Sequence, residues 1–486
     1  MSKFNQSTLN TNKITNHCGA VAYKMQDKEK LVTMVLTSFF GENKFYGDNS
    51  AELIELAKSL IQNGQAQFVS NLAIYARKEM HLRSVSHVLG ALLANEEKGK
   101  PFVKATLRKI IERVDDITEI LSYYLSTYGK PIPNGLKKAL AEAMNKFNEY
   151  QFAKYTGNNK SVKVRDVLRL VHPVAQDSEH SEIFKSIIDG TLKTPYTWET
   201  ELSTKGNNTE TWEQLIDSGK VGYMAILRNL NNILNARPSN IEKVYDLLSN
   251  EENVLKSKQL PFRFLSAYKA IKDNEFCTSR ILDTLETAIK HSVKNLEKIK
   301  GRTLIAIDVS GSMCHELSGR SNTRCADISR LIGAMANYLC EESLVLKFDD
   351  YLYSCNIPAS NGIISNALAI SVDGGGTNIA LPLNYILEHN LEFDRMILLS
   401  DNEINSQYFG QGWKALCQPL VTKYRKEVNK NFWVHAIDLL GYGTQQFAGE
   451  KTNIIAGWSE GILGFINTVE NGLGDLVTTI EEYGLV

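Results

Sequence analysis

Three short stretches of the chain concentrate oxygen-bearing side chains where a fold could bring them together. In DVSGS, Asp308, Ser310 and Ser312 alternate, and side chains two apart in an extended loop point the same way, so three oxygens can converge on one point. In DGGGTNI, Thr377 follows Gly374, Gly375 and Gly376, whose permissive backbone lets a loop fold closely over a neighbour. Asp401 directly follows the apolar run RMILLS. Two carboxylates and three hydroxyls, without sulfur or imidazole, are hard donors that suit an octahedral cation such as Mg²⁺, or another hard divalent ion, at about 2.1 Å. The competing reading makes DVSGS a strand-end turn in which Asp308 caps the helix that follows. A metal held by oxygens could also activate water for hydrolysis, and Glu403, His315 and Glu316 lie close to the ligand loops in sequence. Nothing in their spacing fixes a base, and they read as solvent-exposed loop residues. His389 and His435 read as a helix-end and a strand residue, not as catalysts.

These side chains need a scaffold that ends strands side by side. TLIAIDVSGS is a continuous apolar run that stops at an acid and small polar residues, the pattern of a buried parallel strand feeding a loop. Further strands are predicted at 343–348, 395–401, 432–439 and 452–458, with helical stretches DISRLIGAMANYLCEE and NIALPLNYILEHN between them. Alternating strands and helices imply a doubly wound parallel sheet over residues 301–486, with functional loops at the carboxyl ends of the strands.

The first 300 residues have a different texture. Leu53, Leu56 and Leu60 share a helical face, as do Phe68, Leu72 and Tyr75, then Val85, Val88, Leu89 and Leu92, then Leu107, Ile110, Val114 and Ile117. A further run carries Leu136, Leu140, Met144 and Phe147 on one side after YGKPIPNG. Short amphipathic helices joined by short turns, without strand alternation, suggest stacked helical hairpins of the solenoid kind over residues 1–300, although no clean repeat period emerges. The expected fold class is thus α + α/β, a helical-repeat domain followed by a doubly wound sheet.

Composition narrows the possibilities. With 486 residues, 43% hydrophobic and 22% charged, the chain can bury a substantial core without staples. It contains no apolar run of membrane-spanning length, and its first residues lack the apolar stretch of a secretory signal. Seven scattered cysteines without a CxxC pair argue against a disulfide framework or a cysteine zinc site and suit a reducing, cytoplasmic setting. The net charge of -1 conceals an asymmetry: 42 basic against 34 acidic residues before position 301, and 12 against 21 after it. That distribution points the first part toward a polyanion and the second toward a cation. The region from Leu136 to Pro173 is locally basic, with Lys137, Lys138, Lys146, Lys154, Lys160, Lys163, Arg165 and Arg169 against Glu142, Glu149 and Asp166. It also holds Phe147, Tyr150, Phe152 and Tyr155, either core aromatics or platforms on which unpaired bases stack.

DVSGS, the Thr377 loop and Asp401 resemble, in ligand type and order, the metal-ion-dependent adhesion site of von Willebrand factor A domains. The resemblance implies Asp308, Ser310 and Ser312 as first-loop ligands, direct or through water, Thr377 as the second-loop ligand, Asp401 as the third, and a coordination position open to an acidic residue of a partner. The stretches NLAIYARKEMHLRSVSHVL, KVRDVLRLVHPVA, TWEQLIDSGKVGYMAILRNLNNI and LPFRFLSAYKAI, in that order ahead of an A domain, resemble the TROVE module of the Ro 60 kDa autoantigen and its bacterial relatives. That likeness covers nearly the whole chain. It implies a ring of HEAT-like helical repeats that binds small noncoding Y RNAs and the single-stranded ends of misfolded RNA, for RNA quality control, without catalysis. It further implies RNA contacts at Arg165, Arg169 and His172, with Lys137 and Lys138 from the matching upstream helix. Arg77, Lys78, Arg83 and Arg228 lie in resembling segments but read individually as solvated side chains, and the acidic run ERVDDITE at 112–119 dilutes the basic half. The expected partners are RNA and, at the A-domain metal, an acidic protein or a ribonuclease. The alternatives are a metal-dependent protein-interaction scaffold and, less favoured, a metal-dependent nuclease.

Overall fold

The computed structural model describes residues 13–15, 21–38, 51–155, 161–314, 316–318, 321–403 and 417–483. The chain forms two compact units, one of residues 1–40 with 207–476 and the other of residues 41–206 with 477–486. Among the described residues no helix is long and apolar enough to cross a membrane.

The unit of residues 41–206 and 477–486 is built from short helices. Ala66–Lys78 packs against both Ser84–Asn95 and Val103–Ile110; Ser84–Asn95 packs on Val114–Thr127, and Val103–Ile110 on Asn134–Met144. Val164–Val171 then lies against both Val114–Thr127 and Asn134–Met144. Each helix buries one stripe. In Val103–Ile110 the buried residues are Val103, Thr106, Leu107 and Ile110, while Lys104, Arg108 and Lys109 face solvent. Gly90 lets the neighbouring helix close in, since a Cβ there would stand 2.8 Å from a Leu107 methyl. The apolar run Leu107, Ile110, Val114 and Ile117 is not one helix as its spacing suggests. Asp116 accepts the backbone N–H groups of Glu112 and Arg113, both at 2.9 Å, and so starts a new helix at Val114.

The other unit holds a six-stranded sheet. Its strands are β3 (Ile299–Asp308), β6 (Cys340–Phe348), β7 (Leu352–Ser354), β8 (Arg395–Ser400), β9 (Trp433–Asp438) and β11 (Thr452–Ala456), in the order β11-β9-β8-β3-β6-β7, all parallel except β7. Each predicted strand of the second half is present. The acidic end of DISRLIGAMANYLCEE leaves its helix, Cys325–Leu339, and opens β6 instead. Every residue of β8 is buried, as a strand covered on both faces requires. Strands also occur where none was predicted: β1 (Lys13–Thr15) and β2 (Val21–Lys24) form a small sheet with β10 (Thr444–Gln445), and β4 (Glu316–Ser318) pairs with β5 (Ser321–Arg324). Met25, just after β2, is buried in the same core as Leu304, Leu346, Leu398 and Val434 of the large sheet.

Helices preceding the sheet pack within the same unit through charged caps. The Glu286 carboxylate, on Ser279–Ser292, accepts the N–H groups of Ile363 (2.8 Å), Ile364 (3.1 Å) and Ser365 (2.6 Å) and caps the helix Ile363–Ala369. Gly362 makes room for it: φ is +99°, and a Cβ would lie 2.6 Å from the carboxyl carbon. Lys269 forms an ion pair at 2.7 Å with Asp327, in the first turn of Cys325–Leu339. Glu286→Ala strands these donors. It should lower unfolding stability by about 2 kcal/mol or more in denaturant titrations. An unchanged midpoint would show that the cap contributes nothing.

Candidate metal centre and nucleic-acid interface

β3 and β8 are neighbours, paired from Thr303↔Arg395 to Ile307↔Leu399, and the strand order reverses between them. Asp308 ends β3 and Asp401 follows β8, so both carboxylates sit at the switch point of the sheet, where α/β folds place their ligands. Asp308, Ser310 and Asp401 are fully buried, Thr377 is nearly so, and Ser312 is half-buried. The Asp308 carboxylate accepts the Ser310 N–H at 2.9 Å and the Ser400 hydroxyl at 2.5 Å. The hydroxyls of Ser310 and Ser312 stand 3.2 Å apart. The glycine loop closes over DVSGS as expected: Gly311 N–H donates to Gly375 O (2.9 Å) and Gly374 N–H to Val309 O (3.1 Å). Side chains are excluded there, because Cβ atoms at Gly375 and Gly376 would meet the Asp350 carboxylate at 2.9 and 2.4 Å. These contacts hold the first loop against the loop that carries Thr377.

The donor set fits a hard cation. Among the described residues no three His, Cys, Asp or Glu side chains form a metal-holding group, so an ion here would rest on two carboxylates and hydroxyls. Burial, then the charge of Asp401, pushes the Asp308 carboxyl upward. A proton or a cation relieves that cost. Cys325, buried at the start of its helix, has its thiol raised by burial and then by the charges of Asp401, Asp308 and Asp438. Asp438 ends β9, and its carboxyl is pushed up to about 7, first by burial. Tyr442, on the loop after β9, is raised to about 12 by burial and then by Asp401. Neither was singled out from sequence, although Asp438 repeats the pattern of a buried strand stopped by an acid.

His315 lies outside the described residues, Glu316 is exposed, and Glu403 is buried with its carboxylate accepting the Thr444 hydroxyl at 3.1 Å. His435 is buried against Glu470 (2.9 Å), and the His389 ring stays with Tyr385 O (2.9 Å).

The basic candidates separate into two groups. Lys138, Arg165, Arg169 and His172 are exposed and Lys137 is half-buried; none of the five makes an ion pair among the described residues. Val164, Val167, Leu168 and Val171 face inward on Val164–Val171, which turns Arg165 and Arg169 outward four residues apart. His172 is not extended, as the following proline suggests, but left-handed (φ 49°), ending the helix with its N–H on Leu168 O at 3.0 Å. Beyond it Val174 is 85% exposed, and its carbonyl accepts the Asn145 amide at 2.9 Å. By contrast, Arg77, Lys78 and Arg83 are consumed by the acidic run. Arg77 meets Glu112 (3.1 Å) and Asp116 (3.4 Å), Lys78 meets Glu112 (2.5 Å), and Arg83 meets Asp116 (2.5 Å) and Asp115 (2.7 Å). Burial alone would raise the Asp116 carboxyl, but His87, Arg83 and Arg77 together hold it well below the usual range. Lys146 is also engaged, donating to Arg108 O (2.6 Å) and Ile111 O (3.1 Å), and Lys160 lies outside the described residues. Of the four aromatics, Phe147 and Phe152 are core residues packed edge to face, Tyr155 lies under the Arg113 guanidinium, and Tyr150 is exposed.

Comparison with known proteins adds to this geometry. The TROVE domain model matches residues 12–191 and 189–309, and the Ro60 vWA domain model matches residues 302–434. Telomerase protein component 1 of Rattus norvegicus is 25% identical over 51% of this chain, and RNA-binding protein RO60 of Caenorhabditis elegans is 25% identical over 46% of it. The matched stretches span 13% and 36% of those relatives' own lengths. The crystal structure of the Deinococcus radiodurans RO (RSR) protein superposes with a TM-score of 0.56 at 15% identity, covering 90% of this chain and 99% of that one. It shares the fold: a helical N-terminal region followed by a sheet of mainly parallel strands.

The raised Asp308 carboxyl carries a sign. Its folded-state pKa exceeds the ordinary 3.8, so the stability it contributes is present below that value and is lost as pH climbs toward 7. Without divalent ions, Asp308→Asn should therefore gain stability relative to the unsubstituted protein between pH 4 and pH 8, by more than about 1 kcal/mol. Thermal unfolding at the two pH values reads this; a difference independent of pH would contradict it.

Proposed function

The chain belongs to the TROVE domain family, and from that premise we propose that it is an RNA-binding protein of the Ro type, acting by capture and not by catalysis. The observation that carries this reading is the set of cations left uncommitted on neighbouring helices, Lys138 on Asn134–Met144 with Arg165 and Arg169 on Val164–Val171. Each can neutralise a phosphate and release counterions, a sequence-independent attraction suited to diverse RNA. His172 and Lys137 sit at the same helices and complete the contact set, His172 by hydrogen bonding or stacking. The RNA-binding RO60 relative of Caenorhabditis elegans supports this choice of ligand. The substrates we assign are single-stranded ends of misfolded RNA and Y-type noncoding RNA, in RNA quality control.

In this reading the sheet unit holds Mg²⁺ or a similar divalent ion through Asp308, Ser310, Ser312, Thr377 and Asp401, and the ion supplies a docking point for an acidic side chain of a protein partner, such as a ribonuclease. A second reading, a metal-dependent interaction scaffold without RNA, draws on the exposed aromatics Tyr351 and Tyr442 beside this centre, the first adjoining Asp350 and the second influenced by Asp401.

Filter binding of single-stranded RNA across a salt series tests the first reading. The double variant Arg165→Glu/Arg169→Glu should lose at least tenfold in affinity at low salt. The slope of log K against log salt should flatten by about 0.7 per lost contact. A slope equal to that of the unsubstituted protein would favour the scaffold. For the metal, Mg²⁺ at pH 8 should raise the unfolding midpoint of the unsubstituted protein and leave that of Asp308→Ala where it is, with RNA affinity equal in both; an equal Mg²⁺ response in the two would remove the ion from Asp308.

A further inference from the structure

We propose that a cavity at the start of the helix Asn134–Met144 receives one unstacked base of the RNA strand, an inference that rests on the RNA-binding reading and adds a base contact to it. The cavity measures about 270 Å³ and lies within the unit of residues 41–206 and 477–486. Its floor is apolar. Ala94 of Ser84–Asn95, Val103 of Val103–Ile110 and Leu136 of Asn134–Met144 supply it, and all three are buried. Its mouth is formed by the half-buried Pro133 with the exposed Asn134, Gly135 and Lys100. An apolar cavity of about 150 Å³ holds one benzene ring, so this one has room for a single purine or pyrimidine. Pockets for larger organic ligands start at about 300 Å³.

Gly135 points to a ligand from outside the chain. Glycine is a poor helix former, and it is kept in a helix where φ must be positive or where a neighbour crowds the backbone. Neither holds here: φ lies outside the positive range, and a Cβ would meet nothing within 4 Å. The bare backbone therefore serves no packing inside the protein. What it does provide is an open face at the mouth of the cavity, against which a flat ring can lie. Polar groups stand at the same edge. Pro133 precedes the helix and has no side-chain acceptor, so the first turn is uncapped, and the exposed Asn134 amide adds a donor and an acceptor for the edge of a base.

Charge decides what kind of ring. The segments that supply the lining, residues 94–104 and 133–138, carry five lysines against two glutamates. Lys100 is paired with Glu97, which leaves the helix itself to meet a phosphate. Lys137 and Lys138 make no ion pair among the described residues. They follow Pro133 and Asn134 by four residues and so share their faces, and helical side chains lean toward the N-terminus, which brings both ammonium groups to the side of the mouth. An apolar side chain of a protein partner could fill the floor equally well, but it has no use for these cations. A nucleotide uses both features: the base enters the apolar floor, and its flanking phosphates meet Lys137 and Lys138.

Two measurements on the full-length chain test this. In filter binding, the unsubstituted protein should hold oligoadenylate at least fivefold more tightly than an abasic ribose-phosphate strand of equal length, since stacking of one base is worth about that much or more. Gly135→Leu, whose side chain occupies the mouth, should bring that ratio down at least fivefold while the slope of log K against log salt stays where it was. A ratio that Gly135→Leu leaves unchanged overturns the proposal. The second measurement needs no RNA strand: adenosine 5′-monophosphate titrated into the protein should shift the methyl resonances of Ala94, Val103 and Leu136, and Gly135→Leu should abolish the shift. Absence of a shift in the unsubstituted protein overturns the proposal as well, and shifts produced by a leucine-rich peptide in place of the nucleotide would assign the cavity to a protein partner. Failure of the RNA-binding reading registers separately, as no retention of either strand at low salt. The nucleotide titration still decides the cavity in that case.

Discussion

The constraint on which the sheet unit depends is electrostatic: acids must be buried together where its parallel strands end. Asp308, Asp401 and Asp438 terminate or follow three adjacent strands, β3, β8 and β9, and all three are fully buried. Hydrophobic pairing along those strands fixes their ends side by side whatever the charges prefer. The acids are then held near one another by the same burial that penalises their ionisation, and local donors offset part of the cost. Ser400 and the Ser310 N–H bind Asp308, the Glu403 N–H binds Asp401, and the Leu440 and Gly441 N–H groups bind Asp438. What those donors leave uncompensated among the described residues is the cost of burying the carboxylates, which a proton or a cation would offset.

The helical unit solves the opposite problem by a different route. Its cations and acids nearly balance in number, and the acidic run from Glu112 to Glu119 absorbs the cations on the helix Ala66–Lys78 and at its end, Arg77, Lys78 and Arg83. Farther along the stack, the acids of Asn134–Met144 and Val164–Val171 are engaged elsewhere, Glu142 with Lys104 and Asp166 with the Lys163 N–H, and Lys138, Arg165 and Arg169 make no ion pair among the described residues. Dilution of positive charge in the overall composition is thus partition in space: one group is tied into a half-buried ion-pair network that fixes helix ends, and the other is left to solvent. A total of positive charge cannot distinguish the two; only the identity of each cation's neighbour does.

Much of this was legible in sequence because period and punctuation suffice. Buried parallel strands show as unbroken apolar runs, and an acid immediately after one marks a strand end, which is how Asp308 and Asp401 stood out and how Asp438 was available to be noticed. Helical faces at Leu136, Leu140 and Met144 showed in the same way. The rest depended on contacts distant in the chain. The division between Ile110 and Val114 is set by one carboxylate, Asp116, reaching back over two N–H groups. The placement of β2 is set by pairing with β10, more than 400 residues away, and two short polar strands have no periodic signature of their own. The roles of Phe147 and Phe152 were ambiguous for a further reason. A basic, aromatic-rich stretch has the same composition whether its rings face solvent or the core, and the core claims the larger apolar surface.

The pairing of β2 with β10 bears on the metal centre itself. Lys24↔Thr444 and Tyr23↔Gln445 hold β10 in place. From β10 the Thr444 hydroxyl reaches Glu403 at 3.1 Å, and from the next residue the Gln446 amide reaches Asn402 O at 3.0 Å. Those two bonds fix the segment immediately after Asp401. The loop that carries the third candidate ligand is therefore held from outside the sheet, by a strand whose own position is set by Val21–Lys24. Met25, buried in the core beneath, anchors that arrangement hydrophobically. Residues 21–25 and the large sheet act as one structural piece for this reason, and the local order of the candidate centre depends on a segment far from it in sequence.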